Sequence, residues 1–245
     1  MITAASTLRT IALGSPSTIR VFERLQLDYC CGGNRSLAEA CAQKGLDIKS
    51  VIAQIAEAEN AALSDVSALT QATPTELIRH IVSTHHAYVR SEIPRLIPLA
   101  QRCALKHGPA HPEYIRIEEQ LLELSNDLLF HLDKEERILF PYIEALEASQ
   151  SKGTARPHAC FASVESPIAS MLADHEAAGA LLNEMRTSTN GFTPHEGACP
   201  TVVGFLHSLD AFERDLHQHV HLENNLLFPL ATALQANRAV VQSSH

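Results

Sequence analysis

Residues 131–141 read HLDKEERILFP, and residues 219–229 read HVHLENNLLFP. Both contain His-x-x-x-Glu followed by an aliphatic pair and Phe-Pro, offset by 88 residues (219 − 131). On a helix, a His and a Glu four apart lie one turn apart on one face. A lone pair of this kind is ordinarily a surface contact. Here it occurs twice, and both times in phase with an apolar stripe. Leu124, Leu128, Ile138, Tyr142 and Leu146 share a face with His131 and Glu135, and Phe205, Phe212, Leu216, Leu226 and Leu230 share one with His219 and Glu223. A carboxylate carried into a core needs a partner, and a cation shared by two such pairs would supply one.

A third segment, ADHEAAG, places His175 on a stripe of Ile168, Met171, Leu172, Ala178, Leu182 and Met185. A fourth carries adjacent candidates, His85 and His86. Its stripe (Ile78, Val82, Val89, Ile93, Leu96) falls between them, so periodicity alone does not choose. The spacing from His86 to His175, 89 residues (175 − 86), is close to the main repeat and favours His86 slightly. The order His, His-x-x-x-Glu, His, His-x-x-x-Glu gives four imidazoles and two carboxylates. That is too many for one tetrahedral zinc and suits two ions with the carboxylates able to bridge. With no thiolate in the set, iron is expected first and manganese or zinc next. Asp127 and Asp215 each precede a repeat His by four. They are candidates to accept that imidazole's second ring proton, the plain alternative being a solvated helix-face Asp.

These residues require long helices to hold them. Thr73-Pro74-Thr75-Glu76 has the form of a capping box with Pro at the first helical position, opening helix A, which ends near Lys106. Helix B runs from about Pro112 to Ala148. Helix C opens at Ser166-Pro167 and fades at TSTNG. Helix D follows Cys199-Pro200 and ends near Asn237. Pro94 and Pro98 are expected to kink A, and Pro141 and Pro229 to kink B and D at matching places. Before the bundle, Ser15-Pro16, Ser36 and Asp47 can each start a shorter helix. The pattern predicts an all-α chain: a small N-terminal helical domain (1–60), a linker (61–72), an antiparallel four-helix bundle (73–237) and a tail (238–245).

The bulk numbers narrow the function. A net charge of −9 argues against nucleic acid, since no basic stripe is available to neutralise phosphate. No apolar run approaches the ~20 residues a membrane span requires. No basic-then-apolar leader opens the chain, and 6 Cys in 245 residues do not suggest a disulfide framework. A cytoplasmic protein is expected. The 14 His, more than the 10 Gly or 8 Phe, are the anomaly of the composition.

DYCCGG near the start, followed in order by LLFHLDKEERILFP, ADHEAAG and HVHLENNLLFP, resembles the hemerythrin-like repair-of-iron-centres (RIC) family over about residues 7 to 232. The resemblance implies a small Cys-Cys domain before a four-helix bundle holding two non-haem iron ions, oxo- and carboxylate-bridged. It also implies a stress-response role in restoring iron–sulfur clusters damaged by nitric oxide or peroxide. Carried over residue by residue, the metal ligands are His86, His131, Glu135, His175, His219 and Glu223; His86 is selected over His85 because it stands eight residues before Pro94. Behind them Asp127, Asp215 and His85 are expected as support. Cys30 and Cys31 are the redox or exchange candidates, because adjacent thiols before Gly-Gly in a turn suit reactivity better than a strained vicinal disulfide. The bland reading of a Cys is a small buried hydrophobe, and Cys41, Cys103, Cys160 and Cys199 are read that way. His217 and His221 point away from the site by helical phase and are expected in solvent. The expected partners are damaged iron–sulfur proteins, with nitric oxide or oxygen species as small ligands; a homodimer stays open. Two rivals remain: an oxygen or nitric oxide carrier or sensor, which needs neither Cys30 nor Cys31, and a di-iron nitric oxide reductase or peroxidase, which needs an electron donor.

Overall fold

The computed structural model describes the chain except for residues 1, 15–17, 30–31, 62–68, 70, 156 and 243–245. The expectations for Ser15-Pro16, for Cys30 and Cys31, and for most of the 61–72 segment lie outside the described residues. Among the described residues four short helices come first: α1 (Leu8–Gly14), α2 (Ile19–Leu25), α3 (Leu37–Lys44) and α4 (Ile48–Ala61). The starts of α3 and α4 follow from side chains that satisfy orphan amides. Ser36 and Glu39 form a reciprocal capping box on α3, and the Asp47 carboxylate accepts from the amides of Lys49 and Ser50. Leu8, Phe22, Tyr29, Leu37, Val51 and Ile55 close a core belonging to this part alone.

Four rods follow. Rod A joins α5 (Pro74–Ile81), a π-helical turn π1 (Val82–His86) and α6 (Ala87–His107). Rod B joins α7 (Glu113–Lys134), π2 (Glu135–Leu139) and α8 (Phe140–Lys152). Rod C is α9 (Glu165–Ser188). Rod D joins α10 (Pro200–Leu222), π3 (Glu223–Leu227) and α11 (Phe228–Gln242). Thr73 and Glu76 cap rod A reciprocally, with Pro74 in the first turn. Rod A packs on B and D, and B packs on C, so the bundle is antiparallel and all-α. Rod B continues past Ala148 to a left-handed cap at Gly153, and rod D continues past Asn237 to Gln242.

The prolines act differently from simple kinks. Pro94 and Pro98 sit inside the unbroken α6. Pro141 and Pro229 are each the second residue after a π turn. A proline has no N–H to give to the preceding turn, and the chain widens just before it: the Phe140 and Phe228 amides reach back five residues, to the Glu135 and Glu223 carbonyls. The extra residue shifts the helical phase. Ile138 and Leu230, expected toward the core, are exposed, and Leu139 and Leu227 are buried in their place. Leu172, at the margin of its stripe, is also exposed.

Along every rod the apolar core is interrupted at one level. One cluster runs through Val89, Leu128, Leu132, Leu182, Leu216 and Val220. The other runs through Ile81, Leu139, Met171, Leu222 and Leu227. Polar side chains fill the gap between them. No helix among the described residues is long and apolar enough to cross a membrane.

Candidate metal centre

The gap holds His86, His131, Glu135, His175, His219 and Glu223, all buried; both carboxylates are 0% exposed. Each π turn carries one of them, His86 closing π1, Glu135 opening π2 and Glu223 opening π3. Single π turns recur where a helix must re-aim a functional side chain, and three at one level is a strong instance. His175 needs none, since rod C is α-helical throughout.

The six divide into two sets of four that share both glutamates. In one set are His86, His219, Glu135 and Glu223; in the other, His131, His175, Glu135 and Glu223; within each set the ligand atoms lie within 4.8 Å of one another. Glu135 turns Oε2 toward His86 Nε2 (3.5 Å) and Oε1 toward His131 Nε2 (3.3 Å). Glu223 turns Oε1 toward His219 Nε2 (2.9 Å) and Oε2 toward His175 Nε2 (3.1 Å). The imidazoles face one another through their Nε2 atoms, at 3.2 Å for His86–His219 and 3.1 Å for His175–His131.

A positive charge belongs in this gap. Both oxygens of Glu135 and Oε2 of Glu223 are buried with imidazole nitrogens beside them but no aligned hydrogen bond, a costly condition for a carboxylate. Without a cation, protons on the imidazoles supply the charge. Burial opposes protonation of His131, but Glu135 outweighs it, with Glu223 and Asp174 adding, and the pKa rises to about 9. His219 is likewise raised, against burial, by Glu223 and then Glu135. Burial pushes the Glu223 carboxyl up, yet His219, His175 and His86 together hold it well below the usual carboxylate range. Two cations with nitrogen and oxygen ligands would replace these protons and fill the empty oxygen positions, so the residues present fit such a pair.

The outward nitrogens are held by side chains that were not anticipated. Glu136 accepts from His86 Nδ1 at 2.8 Å, Asp174 contacts His131 Nδ1 at 3.1 Å, and Asn224 contacts His175 Nδ1 at 2.8 Å. Asp127 and Asp215 do not take the parts expected of them. Asp127 is exposed on rod B, and Asp174 of rod C stands behind His131 in its place. Asp215 pairs with His85 Nδ1 at 2.9 Å instead of with His219. The physical reason is that an imidazole aiming Nε2 at the gap aims Nδ1 across to the neighbouring rod, not back along its own. A signal was present in the motifs: Glu136 and Asn224 directly follow the two shared glutamates, and Asp174 directly precedes His175. His85 is buried beside the site, stacked on His219 with centroids 5.7 Å apart.

His221 is not in solvent. It is buried, its Nδ1 meets Asn225 Nδ2 at 2.8 Å, and its ring packs edge-on to Tyr29. Burial pushes its pKa down to about 4. His217 is partly covered by the same tyrosine. The phase argument considered rod D alone, whereas the N-terminal helices lie across it. Arg9 donates to the Asn225 carbonyl and Asn225 Nδ2 donates to the Tyr29 carbonyl. Under this roof a cavity of about 460 Å³ runs between Leu27, Asp28 and Arg35 of the N-terminal part and His175, Glu176 and Gly179 of rod C.

A bundle with two His/Glu sets sharing two carboxylates defines a hemerythrin-like cation-binding protein. Residues 77–231 match the hemerythrin HHE cation binding domain, and residues 4–59 match the DUF542 domain, whose function is unknown. The iron–sulfur cluster repair protein YtfE of Yersinia pestis (strain Pestoides F) is 35% identical over 226 residues, covering 91% of this chain and 95% of its own length. The YtfE protein of Yersinia pseudotuberculosis serotype O:1b (strain IP 31758) matches to the same extent. The chain belongs to the repair-of-iron-centres family of hemerythrin-like proteins.

Proposed function

We propose that the chain is a cytoplasmic di-iron protein that takes part in repairing iron–sulfur clusters damaged by oxidative or nitrosative stress. The observation that carries the reading is the sharing of Glu135 and Glu223 between two sets of imidazoles, each carboxylate offering one oxygen to each side. The relatives' name, iron–sulfur cluster repair protein, supports the biological half. On this reading His86 and His219 would hold one iron and His131 and His175 the other, with Glu135 and Glu223 available to both. Such a pair supplies exchangeable iron and open positions for small ligands such as nitric oxide or oxygen.

The chain's own residues do the remainder. His131 and His219, whose protonation the buried glutamates favour, would give up their protons on loading, so loading is pH-dependent. Glu136, Asp174 and Asn224 fix the rings of His86, His131 and His175 with Nε2 inward. The two apolar clusters keep bulk water from the carboxylates, leaving the cavity at His175 as a way in. Asp28 lines that cavity and accepts from the Gly32 amide, and these two residues flank Cys30 and Cys31 in sequence. This supports a role for the N-terminal part in exchange with a client iron–sulfur protein, with Cys30 and Cys31 as its candidate thiols.

Metal analysis tests the first half. The purified protein should hold two irons per chain, and Glu135→Leu or Glu223→Leu should lower this toward one or none. Two irons and an unchanged absorption spectrum in both variants would overturn the assignment. Reactivation of a damaged [4Fe–4S] enzyme tests the second half. The Cys30→Ser/Cys31→Ser protein should keep its iron and repair poorly. Full repair by that protein would show that the thiols take no part in the exchange, and failure of the parent protein to reactivate the enzyme would favour a carrier or sensor of oxygen or nitric oxide.

A further inference from the structure

The sequence repeat makes the two metal positions look equivalent, but their surroundings differ at one atom. A metal on Nε2 forces the remaining proton of a neutral imidazole onto Nδ1, and that N–H then needs an acceptor. At the His131–His175 position both rings have one: Asp174 at 3.1 Å and Asn224 at 2.8 Å. At the His86–His219 position only His86 does, to Glu136 at 2.8 Å. His219 Nδ1 is buried and has no hydrogen-bond partner among the described residues.

The carboxylates on the two sides are matched. Asp174 is shared with Lys134 at 2.5 Å, and Glu136 with Arg90 at 3.2 Å, so each is an anion steadied by one cation. What remains is an amide acceptor on His175 and none on His219. The residue in register to supply it is His85, which precedes His86 as Asp174 precedes His175. His85 instead lies parallel to the His219 ring, at an interplanar angle of 4°, with its own Nδ1 committed to Asp215. The break in symmetry is therefore a substitution in the repeat: an imidazole occupies the place of a carboxylate.

Resting on the di-iron reading, we propose that the two positions hold iron unequally and that the ion held by His86 and His219 leaves first. An acceptor behind a ligating imidazole fixes its orientation and raises its basicity, and losing one weakens metal affinity by about 10- to 100-fold. The His86–His219 position thus acts as the donating one, and the His131–His175 position retains its ion and keeps Glu135 and Glu223 in place. For a protein that supplies iron to a damaged cluster, this restricts delivery to one ion per chain in the fast step.

The test is release of ferrous iron from the reduced, fully loaded full-length protein to a colorimetric chelator, followed in time. Two phases of one equivalent each are expected, separated by about tenfold or more in rate. Asn224→Ala removes the acceptor behind His175 only. It should speed the slow phase toward the fast one and leave the fast phase unchanged. Asn224→Asp restores an acceptor and should restore the separation, which distinguishes loss of the contact from misfolding; circular dichroism of both variants provides the same control. A single phase releasing both irons in the parent protein, or acceleration of the fast phase alone by Asn224→Ala, would overturn the proposal. Loading with fewer than two irons would instead refute the di-iron reading beneath it.

Discussion

Stripping the metal should make the stability of this protein depend on pH in a window where the loaded protein is indifferent. In the stripped protein the charge of Glu135 and Glu223 is met by protons, and His131 carries one with a pKa of about 9 against an ordinary 6.5. A group whose pKa is raised on folding contributes stability that is complete below its unfolded value and is lost as pH rises through its folded value. The contribution of His131 is therefore full below pH 6.5 and gone above pH 9. At about 1.36 kcal/mol per tenfold change in proton affinity, it amounts to on the order of 3 kcal/mol. His219 shifts in the same direction and adds to the loss. In the loaded protein the ions take the protons' place, and above pH 6.5 the unfolded imidazoles are neutral as well, so this term vanishes. Urea denaturation at pH 6.5, 7.5 and 9.5, on chelator-stripped and iron-loaded protein, isolates it, because titration of surface groups is common to both forms. The stripped protein should lose stability across the series by about 3 kcal/mol more than the loaded one. Equal pH profiles would refute the argument that protons neutralise the empty site.

Three further expectations follow from particular contacts. His86→Ala should lower iron content toward one per chain or none, while His85→Ala should retain two, because His86 Nε2 faces the shared glutamates and His85 faces Asp215; the measurement is iron per chain, and loss confined to His85→Ala would reverse the assignment. Arg186→Ala should destabilise the fold by about 3–5 kcal/mol, since it strands the buried Glu213 carboxylate that Arg186 Nε meets at 2.5 Å; the double change Arg186→Met/Glu213→Leu should recover most of the loss in a denaturant titration. Asn225→Ala removes the side chain that bonds the Tyr29 carbonyl and His221, and limited proteolysis should then separate the N-terminal helices from the bundle faster with iron content unchanged.

The all-α fold and the level of the site were legible in the sequence because each depends on one helix at a time. Caps such as Thr73/Glu76 and Ser36/Glu39 act over three residues, and the His-x-x-x-Glu spacing acts over one turn. What depends on how two rods face each other was not legible. Spacing on one helix offers Asp127 as a candidate behind His131, but the acceptor comes from rod C as Asp174. His221 was assigned to solvent from the phase of rod D, but α1 and the Tyr29 segment cover it. The π turns were missed for another reason. Pro141 and Pro229 announced a break at matched positions, but whether the chain kinks or widens depends on what the widened turn gains, and here it carries Glu135 and Glu223 into the gap.

A duplicated His-x-x-x-Glu phrase explains why the centre has two halves, yet duplication alone would make a symmetric site. Besides the π turn that rod A has and rod C lacks, three departures from symmetry lie on rods A and D. His85 stands where the other half has Asp174, Asn224 stands where the other half has Glu136, and Asn225 of π3 receives the N-terminal helices. The same turn that begins with Glu223 thus touches the donating position, the support of the retaining position, and the docking of the part that carries Cys30 and Cys31. Asn225, which holds the N-terminal helices, and Glu223, which both sets of imidazoles share, stand two residues apart in one π turn. The shortest covalent route from the N-terminal contact to the shared carboxylate therefore runs along Glu223–Asn224–Asn225.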